Sequence, residues 1–547
     1  MSTNTETDRR PSERVDVCVV GAGVAGGMTA YSLAKRGYDV VLLEAGPWFE
    51  KISAEERLER AIRPEFDRTE VWAGGIDPDR DRFTDSAPDR MSVELNRQRL
   101  KGIGGTTQHW AASVGRLHEK DFNMQSRYGL AADWPIDYED LQPYYAEAES
   151  EMGVSGGGDN PFVPRDQSPP MDPHPHSYAD ELFQAACESL DITTHSNALA
   201  INSETRDGRT QCMGYGTCTP FCPSGAKYTG DIHVRKAIEE GTRVIDRVPV
   251  QRLEHDQSGA NVEAVVYRTP DGSEYRQTAR QFVLACGGIE TPRLLLLSQS
   301  EQYPDGLANS SGAVGRYLFF TPFVSVIGQV DEPTNQEPIG FGTLVSDQFY
   351  EHEGPRPGSV HLRFDNHGPD QPVDQALGGG FMEPVTGSAW GDELAAGLED
   401  ASENRSVKIG ANTEMLPRAE NRVSLNHDET DTYGNPVPDI AVDFGQHAFR
   451  TGEYAVSIIT DILAEMGAEI TSDASPGTQQ LGQHHKGTTR MGADPDESVV
   501  NARLRTHDLN NLWITSSSVF TTGGAINPTL TIGALSLKAA DHIDEAL

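Results

Sequence analysis

The stretch from Val15 to Glu44 constrains the fold of this chain most tightly. Val15-Asp16-Val17-Cys18-Val19-Val20 is a short β-branched run, and Gly21-Ala22-Gly23-Val24-Ala25-Gly26-Gly27 follows without a break. A helical pattern then runs from Met28 to Arg36, and a second apolar run, Asp39 to Leu43, ends in Glu44. Strand, glycine loop, helix and strand within about thirty residues, with an acid eighteen positions after the third glycine, make a dinucleotide-binding unit. Each part has a mechanical reason. Gly21 permits the tight turn, Gly23 lets the backbone approach a pyrophosphate, and Gly26 lets helix and strand pack closely. The helix N-terminus offers N–H groups and a positive dipole end to phosphates. Glu44 can accept hydrogen bonds from the adenosine ribose. Gly21, Ala22, Gly23, Gly26 and Glu44 are therefore candidate cofactor contacts.

At 547 residues the chain is too long for one ordinary domain, and two lobes are expected. It carries 83 acidic against 45 basic residues, a net charge of −38. A nucleic-acid partner is excluded on that balance, because phosphate binding needs a basic surface. The acid is dispersed and Lys is scarce, 9 against 36 Arg. That pattern resembles cytoplasmic proteins of salt-accumulating halophiles, where a Debye length of about 3 Å at molar salt screens self-repulsion. No apolar run approaches the roughly 20 residues of a membrane span. Residues 1–13 read as a disordered terminus, and Arg9-Arg10 is followed by no apolar signal segment, so a cytoplasmic location is expected.

Beyond the first unit the chain is charged and irregular from Lys51 to about Leu95. A second glycine segment, Gly102-Ile103-Gly104-Gly105-Thr106-Thr107-Gln108-His109-Trp110, follows. Helices are expected over Tyr138–Met152, Tyr178–Leu190 and around Val234–Gly241. Strands are expected at Arg243–Val250, Asn261–Arg268 and Gln281–Ala285, with a hairpin turn at Pro270-Asp271-Gly272, and a Leu-rich helix at 293–298. From Phe319 to Ile470 the pattern mostly alternates, which predicts an antiparallel sheet with long loops. The fold class is thus mixed α/β: a Rossmann-like nucleotide-binding domain plus a substrate domain with an antiparallel sheet covered by helices.

Half of the six cysteines, Cys212, Cys218 and Cys222, fall within eleven residues. Three thiolates this close can hold a metal or an iron–sulfur cluster, and a Pro after the last one, here Pro223, recurs in ferredoxin-like runs. The rival is structural zinc, which wants four ligands; His233 is the only nearby fourth. A loop merely packed by its cysteines is the second rival. Cys18, Cys187 and Cys286 lie in unrelated apolar segments and read as buried free thiols.

These residues resemble the glucose–methanol–choline (GMC) oxidoreductases, FAD enzymes that oxidise alcohol groups. The resemblance runs nearly end to end through the first unit, Gly104-Gly105-Thr106-Thr107-Gln108-His109-Trp110, Ala285-Cys286-Gly287-Gly288-Ile289-Glu290-Thr291-Pro292, Gly487-Thr488-Thr489-Arg490-Met491-Gly492 and Asn527-Pro528-Thr529-Leu530-Thr531-Ile532. The Cys-x5-Cys-x3-Cys spacing and Asp133-Trp134-Pro135-Ile136 are similar to the catalytic subunits of bacterial glucose, fructose and gluconate dehydrogenases. In that subgroup the three cysteines are similar to those holding a [3Fe-4S] cluster.

The resemblance implies FAD contacts at Gly104, Gly105, Thr106, Thr107, Trp110, Val250, Ser516, Pro528 and Thr529. It implies His484 as the base that takes the hydroxyl proton while carbon gives a hydride to flavin N5, a role suited to imidazole. Asn527 matches the second catalytic position, where an amide orients the hydroxyl. His485 competes with His484: adjacent side chains of an extended segment point to opposite faces, so only one is expected to face the flavin. Two departures stand out. Ser516 occupies about the place where many relatives have Asp, and Gln483 stands where the subgroup often has Asn. The implied domain plan puts 14–60, 96–124, 205–316 and 471–547 in a discontinuous FAD domain, with 61–95, 125–204 and 317–470 forming the substrate lobe and cap. The implied partners are a small alcohol, sugar or polyol substrate, a cytochrome or quinone acceptor and a small helper subunit whose signal could carry the chain out of the cytoplasm. An oxygen-using GMC oxidase and a non-catalytic flavin or cluster subunit are the alternatives.

Overall fold

The computed structural model describes residues 8–49, 77, 79–85, 95–215, 218–219, 222–334, 342–351, 357–365, 390–403, 405–472 and 484–547. Most of the Lys51–Leu95 segment, the first seven residues and Gln483 lie outside the described residues. Residues 8–13, expected to be disordered, are docked on the sheet. Arg9 pairs with Asp246 at 2.9 Å, Tyr267 Oη donates to the Arg9 carbonyl at 2.6 Å, and the Ser12 amide donates to Gln277 at 2.8 Å.

Val15–Val20 is buried on both faces and has the near-continuous apolar character of a central parallel strand. It lies between Val40–Leu43 and Glu274–Leu284, with Val17 opposite Val40 and Gln281. Arg243–Ile245 extends the parallel part beyond Val40–Leu43, and Leu512–Ile514 joins Glu274–Leu284 from the far end of the chain. Glu274–Leu284 is long enough to serve two pairings. Its first half completes an antiparallel meander with Val262–Arg268 and Val250–His255, giving a seven-stranded sheet. The hairpin turn at Pro270-Asp271-Gly272 stands where expected, but the single strand expected over Arg243–Val250 is two. Arg247 takes a left-handed φ of 55° and Pro249 follows, so the chain turns from the parallel part into the meander.

Two glycines fix the first unit. Gly21 has φ 99°, and a Cβ there would stand 2.7 Å from the Ala285 carbonyl oxygen; a Cβ on Gly26 would stand 1.8 Å from the Gly21 carbonyl oxygen. Helix Val24–Ala34 and its strand therefore meet at a distance only glycine allows. Helix Tyr138–Met152 starts and stops where the sequence predicts. Asp137 and Asp140 form a reciprocal capping box, and Gly153 closes the end in a left-handed conformation.

The second sheet has six strands in the order Glu469–Ile470, Phe323–Gln329, Ser406–Thr413, Val360–Phe364, Leu344–Ser346 and His195–Ser196, antiparallel throughout. Alternation sorts its faces. Val407, Ile409, Ala411, Val360, Leu362 and Phe364 enter one core, while Lys408, Asn412 and Arg363 face the cavity described below. The alternating pattern expected across 319–470 misses helix Asp392–Glu403 and, at greater length, the 21-residue helix Gly445–Glu465. Its buried positions Ala448, Gly452, Ala455, Ile459 and Ile462 recur at helical spacing and cover the apolar face of the sheet. Among the described residues no helix is long and apolar enough to cross a membrane.

Candidate active site

A cavity of about 650 Å³ runs from the end of the parallel strands to the polar face of the antiparallel sheet. At the first end Gly21 and Gly23 form the wall, and a Cβ on Gly23 would meet nothing, so this backbone opens directly onto the cavity. Ala22 and Gly26 do not reach the wall. The Ala22 amide instead donates to Glu44 Oε2 at 2.8 Å, and the Gly46 amide donates to Oε1 at 2.9 Å. Glu44 is on the wall and fully buried; burial raises its pKa against the pull of these two amides.

The second glycine segment makes a tight turn into the same wall. Gly104 has φ 91° and Gly105 φ 56°. Thr107 Oγ1 donates to the Gly104 carbonyl at 2.5 Å and accepts from the Gly230 amide at 2.7 Å, which locks the turn. The Leu100 amide donates to Thr106 at 3.4 Å, and Trp110 Nε1 donates to the Tyr228 carbonyl at 2.8 Å. Val250, Pro528 and Thr529 also reach the wall, as does Ser516, whose Oγ lies 2.6 Å from that of Ser518. Ser516 is thus held by neighbouring hydroxyls.

His484 and Asn527 both line this cavity. Asn527 Oδ1 accepts from Asn412 Nδ2 at 2.8 Å, which spends the carbonyl and leaves the amide N–H group as the donor. His485 lines the cavity too, so alternation does not separate the pair. The two rings differ in surroundings. His485 lies edge-on to Phe320 and presses against Gly288, where a Cβ would stand 2.6 Å from the His485 carbonyl oxygen. His484 stands in the field of Lys486 and Arg363. Among the described residues His484 Nδ1 and both His485 ring nitrogens, all buried, have no hydrogen-bond partner. Buried polar atoms of this kind call for a ligand.

Sequence reasoning missed a buried ionic belt around the middle of the cavity. Lys101 Nζ lies 3.2 Å from Asp81 and 3.1 Å from Glu290; Arg99 also pairs with Glu290, and Arg293 lies 2.7 Å from Asp431. The Arg99-Leu100-Lys101 run beside Gly102 is the one local signal for it. With the strand-end glycines, the helix N-terminus and Glu44, these cations fit a pyrophosphate-bearing dinucleotide, so the residues present fit FAD.

The cysteines adjoin this cavity without lining it. Cys218 is buried, Cys212 and Cys222 are half-buried, and Thr219 between them lies on the cavity wall. Burial, then the neighbouring charges of Cys222 and Cys212, push the Cys218 thiol up. Lys227 Nζ donates to the carbonyls of Cys218 at 2.7 Å and Trp110 at 2.8 Å, bridging the segment to the cavity wall. His233 is not a fourth ligand: its Nδ1 meets Tyr228 Oη at 2.7 Å and its Nε2 meets Glu151 at 3.1 Å. Among the described residues no three His, Cys, Asp or Glu side chains are disposed to hold a single metal ion.

Comparison with known proteins gives the family. The chain is 34% identical to the fructose dehydrogenase large subunit of Gluconobacter japonicus, over 96% of this chain and 97% of that one. The GMC oxidoreductase family model matches residues 417–536, and the FAD dependent oxidoreductase model matches residues 16–201. The chain belongs to the GMC oxidoreductases. This GMC protein is also 30% identical to 2-methyl-1,2-propanediol dehydrogenase of Mycolicibacterium austroafricanum, over 97% and 95% of the two chains. Formate oxidase of Aspergillus oryzae shares its fold, with a TM-score of 0.68 at 15% identity over 98% and 99% of the chains. As a GMC oxidoreductase it is an FAD-dependent enzyme.

Two measurable consequences follow from this geometry. Asn412→Ala removes the contact that fixes Asn527, and kcat is expected to fall about tenfold with KM little changed, in steady-state dye reduction. Burial lowers His109 and His484 to about 3 and His485 to about 4. Each is neutral when folded and takes a proton on unfolding below about pH 6.5, so the unfolded chain binds more protons between those values. Stability is therefore expected to fall as pH drops through that window. The urea midpoint at pH 5 lies below that at pH 7, and His109→Gln narrows the difference.

Proposed function

We propose that this enzyme is a dehydrogenase that oxidises a CH–OH group of a sugar or polyol and sends the electrons through an iron–sulfur cluster to an external carrier. One observation carries the catalytic part: His484 and Asn527 border the cavity whose opposite end is built from the dinucleotide glycines and Glu44. Bound FAD would supply a two-electron hydride acceptor in that cavity. His484, kept neutral by burial, takes the hydroxyl proton, and the Asn527 amide donates to the same oxygen as negative charge develops there. Gly21, Gly23, Gly104, Gly105 and Thr107 are the contacts expected for the pyrophosphate, with the turn of Thr106 and Trp110 and the segment Ser516, Pro528, Thr529 toward the flavin and Val250 on the adenosine side.

Cys212, Cys218 and Cys222 are the ligands of a [3Fe-4S] cluster in this reading, supported by the thiolate donor set and by Thr219, which joins their loop to the cavity wall. The segments 14–60, 96–124, 205–316 and 471–547 form the FAD domain, and 61–95, 125–204 and 317–470 the substrate lobe. Fructose and a diol are named for the two relatives, which supports a polyhydroxyl substrate. The first of them is a large subunit, which supports a helper subunit for this chain; a cytochrome or quinone is the acceptor in this reading. The dispersed acid and scarce Lys are read as an adaptation to molar salt in the cytoplasm, with export alongside a signal-bearing partner as the alternative route.

The test is dye reduction across sugars, polyols and simple alcohols, in molar KCl and in dilute buffer, with oxygen uptake followed in parallel. Dye reduction by a sugar or polyol, strongest in salt and with slow oxygen uptake, is expected. Fast oxygen uptake would make it an oxidase, and no turnover with any alcohol would leave a non-catalytic subunit.

A further inference from the structure

Four buried ionisable side chains do not line the cavity and have no part in the chemistry described so far. Asp347, 3% exposed, gathers His361 Nδ1 at 2.6 Å, His195 Nε2 at 3.3 Å and His118 Nε2 at 3.5 Å, and it accepts from Asn160 Nδ2 at 2.8 Å. The three histidines are themselves buried. Burial works to raise the Asp347 carboxyl, but His361, His118 and His195 hold it well below the usual carboxylate range. A buried ion pair adds little stability, because desolvation offsets the attraction; fixing one geometry is its better-attested use.

The geometry held here is the turn from Asp347 to Tyr350. The Tyr350 amide donates to the Asp347 carbonyl at 3.0 Å, and the Tyr350 ring stacks on His118 with centroids 3.7 Å apart. Lys120 Nζ lies 5.0 Å from the same ring. Tyr350 is fully buried, and its hydroxyl donates to Asp121 Oδ2 at 2.8 Å and accepts from the Ala525 amide at 3.1 Å. Ala525 stands two residues before Asn527. Gly524 has φ 45°, and a Cβ there would stand 2.0 Å from Tyr350 Oη, so the hydroxyl fills the space that glycine leaves. Ile526 packs on Gly115, where a Cβ would stand 3.0 Å from Ile526 Cγ2, and Asn527 Oδ1 accepts from Asn412 Nδ2 at 2.8 Å. Ala525, Ile526 and Asn527 are thus each held by a different part of the chain. Just upstream, Thr522 accepts from Trp134 Nε1 at 2.7 Å and donates to the Asp121 carbonyl.

We propose that Tyr350 is a positioning residue for Asn527: its hydroxyl, mounted on Asp347 and the three histidines, fixes the backbone at Ala525 and so the direction of the Asn527 amide. This rests on the reading of Asn527 as the donor to the substrate oxygen. Tyr350 does not line the cavity, so it acts through the Asn527 segment and not on the substrate. The Asn412 contact turns the Asn527 side chain, and Tyr350 places the backbone that carries it. Reaction geometry tolerates little displacement: about 1 Å of misplacement from a distant substitution can cost about 10²-fold. Without the hydroxyl, the Ala525 amide and Asp121 Oδ2 each lose a buried partner, and the segment must shift to replace it.

The test measures steady-state dye reduction and stopped-flow flavin bleaching per bound FAD in the full chain. Tyr350→Phe keeps the ring on His118 and removes only the hydroxyl. It is expected to lower kcat and the bleaching rate about tenfold, with KM and FAD content little changed. Asn527→Ala is expected to slow the same step. Adding Tyr350→Phe to it should cost nothing further, because the amide that Tyr350 directs is gone. Asp347→Asn removes the charge that gathers the histidines and should show the same split of kcat against KM in milder form. A tyrosine that only stabilises the fold would instead lower the thermal midpoint and the FAD content and leave bleaching per bound flavin close to wild type. Its loss would also add to that of Asn527→Ala. Either result overturns the inference. If Asn527→Ala alone keeps the wild-type rate, the reading of Asn527 fails and takes this inference with it, whereas a slow Asn527→Ala beside a normal Tyr350→Phe overturns the inference alone.

Discussion

His484→Ala is expected to lower the rate of flavin bleaching by substrate about a thousandfold, with bound FAD unchanged. General-base catalysis contributes about 10²–10⁴ in rate. His484 touches none of the phosphate-binding elements, so cofactor content measured by absorbance should match the wild type. His485→Ala is the control. Its ring stands against Phe320 and Gly288, and its loss should alter cofactor fit more than proton removal. Wild-type bleaching in His484→Ala together with a thousandfold loss in His485→Ala would exchange the two roles.

Cys218→Ser is expected to strip iron and acid-labile sulfide from the purified enzyme and to stop transfer to a one-electron acceptor. Losing even an outer-shell partner of a metal costs about 10–100-fold in affinity, and losing a thiolate ligand costs at least that. Substrate should still bleach the flavin, because Cys218 does not line the cavity. Cys187→Ser is the control, since that thiol is buried in a helix remote from the segment. Iron retained by Cys218→Ser would remove the cluster from this reading and leave a flavin enzyme alone.

The parts of the fold legible in the sequence are those whose hydrogen bonds close locally. The Val15–Glu44 unit declares itself because its turn, its tight helix contact and its buried strands all use neighbouring residues. Helix Tyr138–Met152 is bounded by its own capping box and its own terminal glycine. The hairpin after Val262 is set by Pro270-Asp271-Gly272. Helix Gly445–Glu465 was hidden because it follows strands in a segment whose dominant pattern has period two.

The candidate site divides in the same way. Motif residues such as Gly23, Gly104, His484 and Asn527 could be named from the chain. Their convergence depends on contacts between residues hundreds of positions apart, as in the Asn412–Asn527 hydrogen bond and the Lys101–Glu290 pair. No local pattern encodes such pairs, because each partner alone is an ordinary polar residue.

The sequence by itself determined a dinucleotide unit, a mixed α/β class, a three-cysteine donor set and the motif residues of an FAD alcohol oxidiser. The first three rest on residue chemistry at fixed short spacing, and the last on the resemblance to the GMC oxidoreductases. Only the tertiary structure decided that both His484 and His485 border one cavity and that His233 is spent on Tyr228 and Glu151. Burial and electrostatic field are sums over every surrounding atom, and those atoms arrive from all parts of the chain only when it folds.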